Sequence, residues 1–163
     1  MAQFLDIFGF LSVLLRGLVL TFEALTVGGV IFLAAVAAPA GVGVPRLRTL
    51  LTWCALLLAA VECCTVAATS AILVGSTDIS WADAAGAQFA IAGMLVVLGA
   101  LAVASTARGF FPAIGCLLIL CGSVMNSHSV SRLDHRWLLV ALTLAHHVAG
   151  AAWIGGAAIG APA

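Results

Sequence analysis

The chain has 163 residues, of which 64% are hydrophobic and 7% charged, and its six basic and six acidic side chains give no formal net charge. Soluble domains carry about 45–50% apolar and about 25% charged residues. This composition excludes a soluble enzyme, a nucleic-acid-binding protein and a disordered chain. The sequence therefore predicts an integral membrane protein that lies in a lipid bilayer.

Apolar segments recur along the whole chain. A helix needs about 20 mainly apolar residues to cross a hydrocarbon core of about 30 Å. The predicted spans cover residues of about 11–38, 50–74, 84–107, 110–125 and 137–159. We therefore predict an all-α, polytopic transmembrane helix bundle of about five spans, which forms a single domain over residues 1–163.

Turn-forming residues separate the predicted spans. Pro39 and Pro45 are expected to break the chain after the first span. Ser80 is a predicted helix cap, and Trp81 is a predicted anchor at the membrane interface.

The arginines in the connectors predict the orientation of the bundle, because Lys and Arg are enriched in cytoplasmic loops. The first and third connectors carry Arg46, Arg48 and Arg108, whereas the fourth carries Arg132 and Arg136. This difference places the first and third connectors in the cytoplasm, and the N-terminus with the other two connectors outside.

Three ionisable side chains lie within the first two spans. Such residues are costly in a membrane and indicate function by default. Arg16 and Glu23 are seven residues apart on nearly one face of the first span, about 10 Å apart along the axis. Glu62 lies in the second span, and Arg16 is a candidate partner for it. Two interpretations remain open: a buried ion pair that fixes helix register, and a proton or cation relay through Glu23 and Glu62.

Cys63 and Cys64 follow Glu62 directly. Because thiols are soft metal ligands, Glu62 with either cysteine is predicted as a second, deeper metal station. The other interpretation is that these cysteines are small hydrophobic packing residues.

All four histidines lie near the end of the chain, and three of them fall where spans four and five meet. His128 follows the fourth span, and His146 and His147 lie in the fifth. Met125 stands three residues before His128, which is the spacing of one helical face. Imidazole suits copper, zinc and iron, and thioether selects copper(I). The sequence therefore predicts a copper site near the outer membrane face, formed by His128, His146, His147 and Met125. Neighbouring side chains on a helix point about 100° apart, so we expect His146 to be the first ligand.

The fifth span resembles the signature helix of the copper resistance protein D family. In that family a His stands seven residues before a Trp, which is followed by a hydrophobic residue and two Gly. His146 and Trp153 have this spacing, and Gly155 and Gly156 complete the pattern. His128 lies between two Ser, which is similar to the small-His-small element at the end of the preceding span in that family.

The resemblance implies an inner-membrane protein of bacteria that handles copper between periplasm and cytoplasm. It implies that His128 and His146 bind the metal, and that Trp153, Gly155 and Gly156 form packing surfaces. The expected partners are a periplasmic copper-binding protein and either further copies of the chain or a larger membrane complex. Typical members have about eight spans, so this chain is short for the family.

Two other functions remain open at the level of sequence. Histidine pairs between helices also bind haem b in membrane cytochromes and in small subunits of redox complexes. A third interpretation is an assembly subunit without a cofactor, packed through its small residues. The sequence contains no GxSxG, HExxH or P-loop motif, so we predict that the protein is not an enzyme.

Overall fold

The computed structural model describes residues 2–40, 44–105, 111–127 and 134–160. Within these ranges the chain forms six α-helices and short turns. The helices are α1 (Ala2–Phe32), α2 (Val44–Ser76), α3 (Trp81–Gly86), α4 (Gln88–Ser105), α5 (Phe111–Met125) and α6 (Arg136–Gly160). A π-helical segment (Leu33–Ala37) and one further turn (Ala38–Ala40) extend α1. The predicted all-α bundle is confirmed.

Four of the helical segments are long and apolar enough to cross a membrane: Phe8–Ala40, Pro45–Ser76, Gln88–Ser105 and Arg136–Ala158. The fifth apolar helix, α5, is shorter, with 15 residues. Large apolar side chains cover the outside of the bundle, as the 80% exposed Trp137 and the 61% exposed Trp53 show. Such a surface requires a lipid environment, and the protein is a multi-pass membrane protein.

The first span ends later than the sequence predicts. Pro39 lies inside the helical turn Ala38–Ala40 and does not break the helix. The preceding π-helical segment explains the difference, because the N–H of Ala38 donates to the carbonyl of Leu33, five residues back. A widened turn accommodates the missing N–H and the bulk of the proline ring, which a regular α-helix does not. Pro45 is the second residue of α2, in the first turn, where proline is tolerated.

The third span begins at Gln88, not near position 84 as predicted. The residues before it form the separate helix α3. Ser80 caps α3 as predicted: its hydroxyl accepts from the backbone N–H of Asp83, and the Asp83 carboxylate accepts from the backbone N–H of Ser80. A capping box of this kind starts a new helix. The boundary prediction was wrong because the apolar alanines of α3 were read as part of the span.

We expect Ser80→Ala to loosen α3 without disturbing the bundle, because the cap is exposed and local. The hydrogen bonds from Ser80 lower the pKa of the Asp83 carboxyl. The stabilisation by Asp83 is therefore present above the carboxyl's ordinary pKa, and is lost as the pH falls through its lowered value. The protection factors of the amides of residues 81–86, taken relative to the intrinsic exchange rate at each pH, should fall in Ser80→Ala, and in the wild type at acidic pH. Unchanged protection factors in both cases would contradict the role of the cap.

Small residues determine which helices pack together. The main packing order is α6–α1–α2–α4–α5, and α5 also contacts α1 and α6. Gly28 of α1 lies against the backbone of Ala151 and Gly155 of α6, and Gly99 of α4 lies against Gly115 of α5. Without a hydrophobic driving force in lipid, such close approaches allow helices to associate. Gly28, Gly99, Gly115 and Gly155 therefore serve as packing residues between helices.

Candidate functional site

A buried carboxylate connects three helices at the centre of the bundle. Glu23 of α1 is only 3% exposed. Its Oε1 lies 2.9 Å from Nδ1 of His147 on α6, and its Oε2 accepts a hydrogen bond of 2.5 Å from the hydroxyl of Ser123 on α5. Both carboxylate oxygens therefore have partners, which is what burial of such a group requires.

The close packing of α1 on α6 positions this contact. Gly28 lies five residues after Glu23, and it meets Ala151, which lies four residues after His147. The two helices therefore run in the same direction and approach closely one turn away from the contact. A larger residue at Gly28 would separate Glu23 from His147.

The contact with Glu23 determines which nitrogen of His147 can bind a ligand. When Nδ1–H donates to a carboxylate, the neutral ring carries its lone pair on Nε2. Metal-binding histidines generally donate their other ring N–H in this way, which fixes the tautomer and the ring orientation. In this tautomer the lone pair on Nε2 of His147 is free to accept a hydrogen bond or to bind a ligand.

His146 and His147 line the same cavity, which has a volume of about 360 Å³ and lies between α1 and α6. Arg16 and Glu23 contribute to its wall from α1. The two imidazole rings are edge-to-face, with centroids 6.3 Å apart. Neighbouring side chains on a helix point about 100° apart, but His147 lines this cavity together with His146.

A second cavity, of about 250 Å³, lies near the end of the bundle where α4 begins and α5 ends. Its wall includes Glu62, Thr65 and Thr69 of α2, and also Asn126, which follows α5. Glu62 is 2% exposed, and among the described residues its Oε2 has no hydrogen-bond partner. We call the first cavity the histidine cavity and the second the Glu62 cavity.

Arg16 lines both cavities. The predicted ion pair between Arg16 and Glu62 is not formed: within the described ranges, the one contact shorter than 4.0 Å between a basic and an acidic side chain joins His147 and Glu23. Sequence reasoning missed this pair, and it missed Ser123 entirely. The only signal for Ser123 is a hydroxyl in an otherwise apolar helix.

The residues of the predicted second station do not converge on one site. Glu62 is buried, whereas Cys63 and Cys64 are both exposed free thiols. Cys63 lines a separate apolar groove beside Trp81. Burial therefore separates the carboxylate from the two sulfurs that sequence proximity had grouped with it.

The predicted copper ligands have different positions. His146 and His147 share a cavity, Met125 ends α5 with its carbonyl accepting from Gln88, and His128 lies outside the described residues. In the described part of the chain, no three His, Cys, Asp or Glu side chains are grouped closely enough to hold a metal ion. Among the described residues, the predicted ligands that share one cavity are thus His146 and His147.

The glycines and the tryptophan of α6 that match the signature helix have different surroundings. Gly155 packs against Gly28, whereas Gly156 has no atom within 4 Å of the position that a Cβ would take. Trp153 is 79% exposed and faces outward from the bundle.

No protein-family model, no curated protein and no solved structure matches this chain. The function is therefore argued from the chemistry of the cavities.

Proposed function

We propose that this protein handles copper in the membrane and binds the ion in the histidine cavity through His147 and His146. The observation that carries this proposal is the hydrogen bond between Glu23 and Nδ1 of His147, because it leaves Nε2 as the ligand nitrogen beside a second imidazole. The ion is the cargo of the protein and not a permanent cofactor.

The donor set favours a soft ion with few ligands. Imidazole suits copper, whereas calcium and magnesium take six or more oxygen ligands. Glu23 supplies no free oxygen, since both of its oxygens already have partners. A pair of imidazoles binds less tightly than a closed four-ligand cage, and a site on a transport route must release its ion.

The position of the pair supports a route into the bundle. His147 is eleven residues after Arg136, the first residue of α6. At 1.5 Å per residue this is about 16 Å along the axis, or roughly half the hydrocarbon thickness. The pair thus lies deeper than a site at the outer face.

The proposal includes a cellular setting, which the resemblance to the copper resistance protein D family supports. The chain lies in a bacterial inner membrane with its N-terminus in the periplasm, and it exchanges copper with a periplasmic copper-binding protein. The orientation depends on the arginine distribution, to which Arg108 and Arg132 contribute from outside the described residues. Association with further copies or with a larger membrane complex belongs to the same proposal.

The test is Cu(I) binding by the purified full-length protein in detergent, measured anaerobically against a competing chelator. We expect one ion per chain, and we expect His147→Ala and His146→Ala each to weaken binding about 10–100-fold, the range for lost metal-site interactions. His135→Asn is the matched control, because His135 is exposed and its φ of 53° is one that Asn tolerates. His128→Ala measures whether the histidine of the fourth connector also contributes.

Two results would overturn the proposal. Equal copper affinity in wild type and His147→Ala would place the ion elsewhere. A Soret absorption band after haem-replete expression, lost in His147→Ala, would assign the histidine to haem b instead.

A further inference from the structure

We propose that Glu62 is a proton-binding site, protonated when the histidine cavity is empty, and that Arg16 couples the release of this proton to copper binding. The coupling rests on the proposed copper function, whereas the protonation of Glu62 does not. The product of the coupling is an exchange of one proton for one monovalent copper ion.

The surroundings of Glu62 favour the neutral carboxylic acid. Its side chain is buried, and within the described structure its Oε2 has neither a hydrogen-bond donor nor a cation within ion-pair distance. On the α4 side the carboxyl group lies against Gly93, where a Cβ would come within 2.9 Å of Oε1. A buried carboxylate without a partner is strongly disfavoured relative to its protonated form.

The groups facing Glu62 leave one excess negative charge when it is ionised. The charged residues of α1 near it are Arg16 and Glu23. Helix α4 has no Asp, Glu, Lys, Arg or His, and α5 likewise has none. When His147 is neutral, as its proposed role as a copper ligand requires, the two carboxylates and one guanidinium sum to minus one. One proton on Glu62 brings the sum to zero.

Arg16 gives a physical link between the two cavities because its side chain lines both. A copper ion between His146 and His147 repels the guanidinium from the histidine cavity. Arg16 then turns toward Glu62 and stabilises the carboxylate. The O–H bond of Glu62 breaks, its electron pair stays on the carboxylate oxygen, and the proton leaves through water in the Glu62 cavity. Because one positive charge replaces another, the buried charge stays at zero.

The Glu62 cavity provides the route by which this proton leaves the bundle. It contains the hydroxyls of Thr65 and Thr69 and the amide of Asn126, which suit water in an otherwise apolar bundle. Phe89, the second residue of α4, and Asn126 place it near one end of the bundle. The released proton therefore leaves on the side of the second and fourth connectors.

The first test needs no copper. Infrared spectroscopy of the full-length protein at neutral pH should show the C=O stretch of a protonated carboxylic acid. We expect Glu62→Gln to remove this band and Asp83→Asn, at an exposed carboxylate of α3, to retain it. An absent band, or one that persists in Glu62→Gln, overturns the proton site whatever the outcome for copper.

The second test counts protons released on adding Cu(I) in weakly buffered solution with a pH-indicator dye. We expect about one proton per bound ion in the wild type, and none in Glu62→Gln, whose side chain does not line the histidine cavity and which still binds copper. Equal release in wild type and Glu62→Gln would identify another source, such as His147, and would overturn the coupling. A wild type that binds no copper would refute both the copper function and the coupling, while the infrared result would still stand for Glu62.

Discussion

Gly28→Leu is expected to separate α1 from α6 and to abolish copper binding together with much of the stability of the bundle. A Cβ at Gly28 would overlap the carbonyl of Ala151 and lie 2.9 Å from Cα of Gly155. These are backbone atoms of a helix, so the clash cannot be relieved by a rotamer change. We expect a loss of about 3 kcal/mol, the upper part of the usual range for overpacking. Thermal unfolding in detergent measures it.

Gly156→Leu is the matched control for this prediction, because Gly156 does not line the histidine cavity. Gly156 lies on α6 one residue after Gly155, but no atom lies within 4 Å of the position of its Cβ. Both variants add the same side chain to a glycine in a membrane-spanning helix. Equal melting temperatures for the two variants would show that the contact between α1 and α6 does not limit stability.

The glycine contacts show which part of the fold the sequence predicts and which part it does not. Apolar length alone identifies the spans, because each helix must satisfy its own backbone in lipid. Which glycines face a neighbouring helix is a tertiary property. Gly150 and Gly156 have the same local surroundings of small residues as Gly155, yet only Gly155 meets α1.

The sequence predicted which residue types form the candidate site, but not which of these residues contact one another. The cost of burying charge identifies Glu23 and Glu62 from the sequence, and the histidine cluster includes His147. The partner of Glu23 could not be deduced, because it comes from α6, more than 120 residues along the chain. The sequence offered Arg16 as a partner for Glu62 and indicated no partner for Glu23.

The identity of its partner determines what the Glu23 carboxylate can do chemically. An arginine bound to Glu23 would form a closed structural ion pair. A histidine bound there keeps one ring nitrogen for a ligand and leaves Arg16 available to both cavities. Under the copper proposal the site can therefore respond to an ion, which a closed pair could not.

Removing the Glu23 carboxylate should have the largest effect on the site itself. Glu23→Ala leaves His147 and Ser123 without their buried partner, and each buried polar group left unsatisfied costs about 1–3 kcal/mol. Because the carboxylate orients the ring and raises its basicity, we also expect copper affinity to fall about 10–100-fold. Unfolding in detergent and chelator competition measure the two effects.

Two milder variants separate orientation of the histidine from general damage to the bundle. Glu23→Gln keeps the shape and an oxygen that can accept from His147, but it removes the negative charge, so we expect the protein to stay folded and to bind copper more weakly. Ser123→Ala removes the hydrogen bond to Oε2 and leaves the contact between Glu23 and His147 in place. The expected order of copper affinity is therefore wild type, Ser123→Ala, Glu23→Gln and Glu23→Ala, from tightest to weakest. If Glu23→Ala bound copper as tightly as the wild type, the carboxylate would have no part in preparing His147, and the hydrogen bond would serve packing alone.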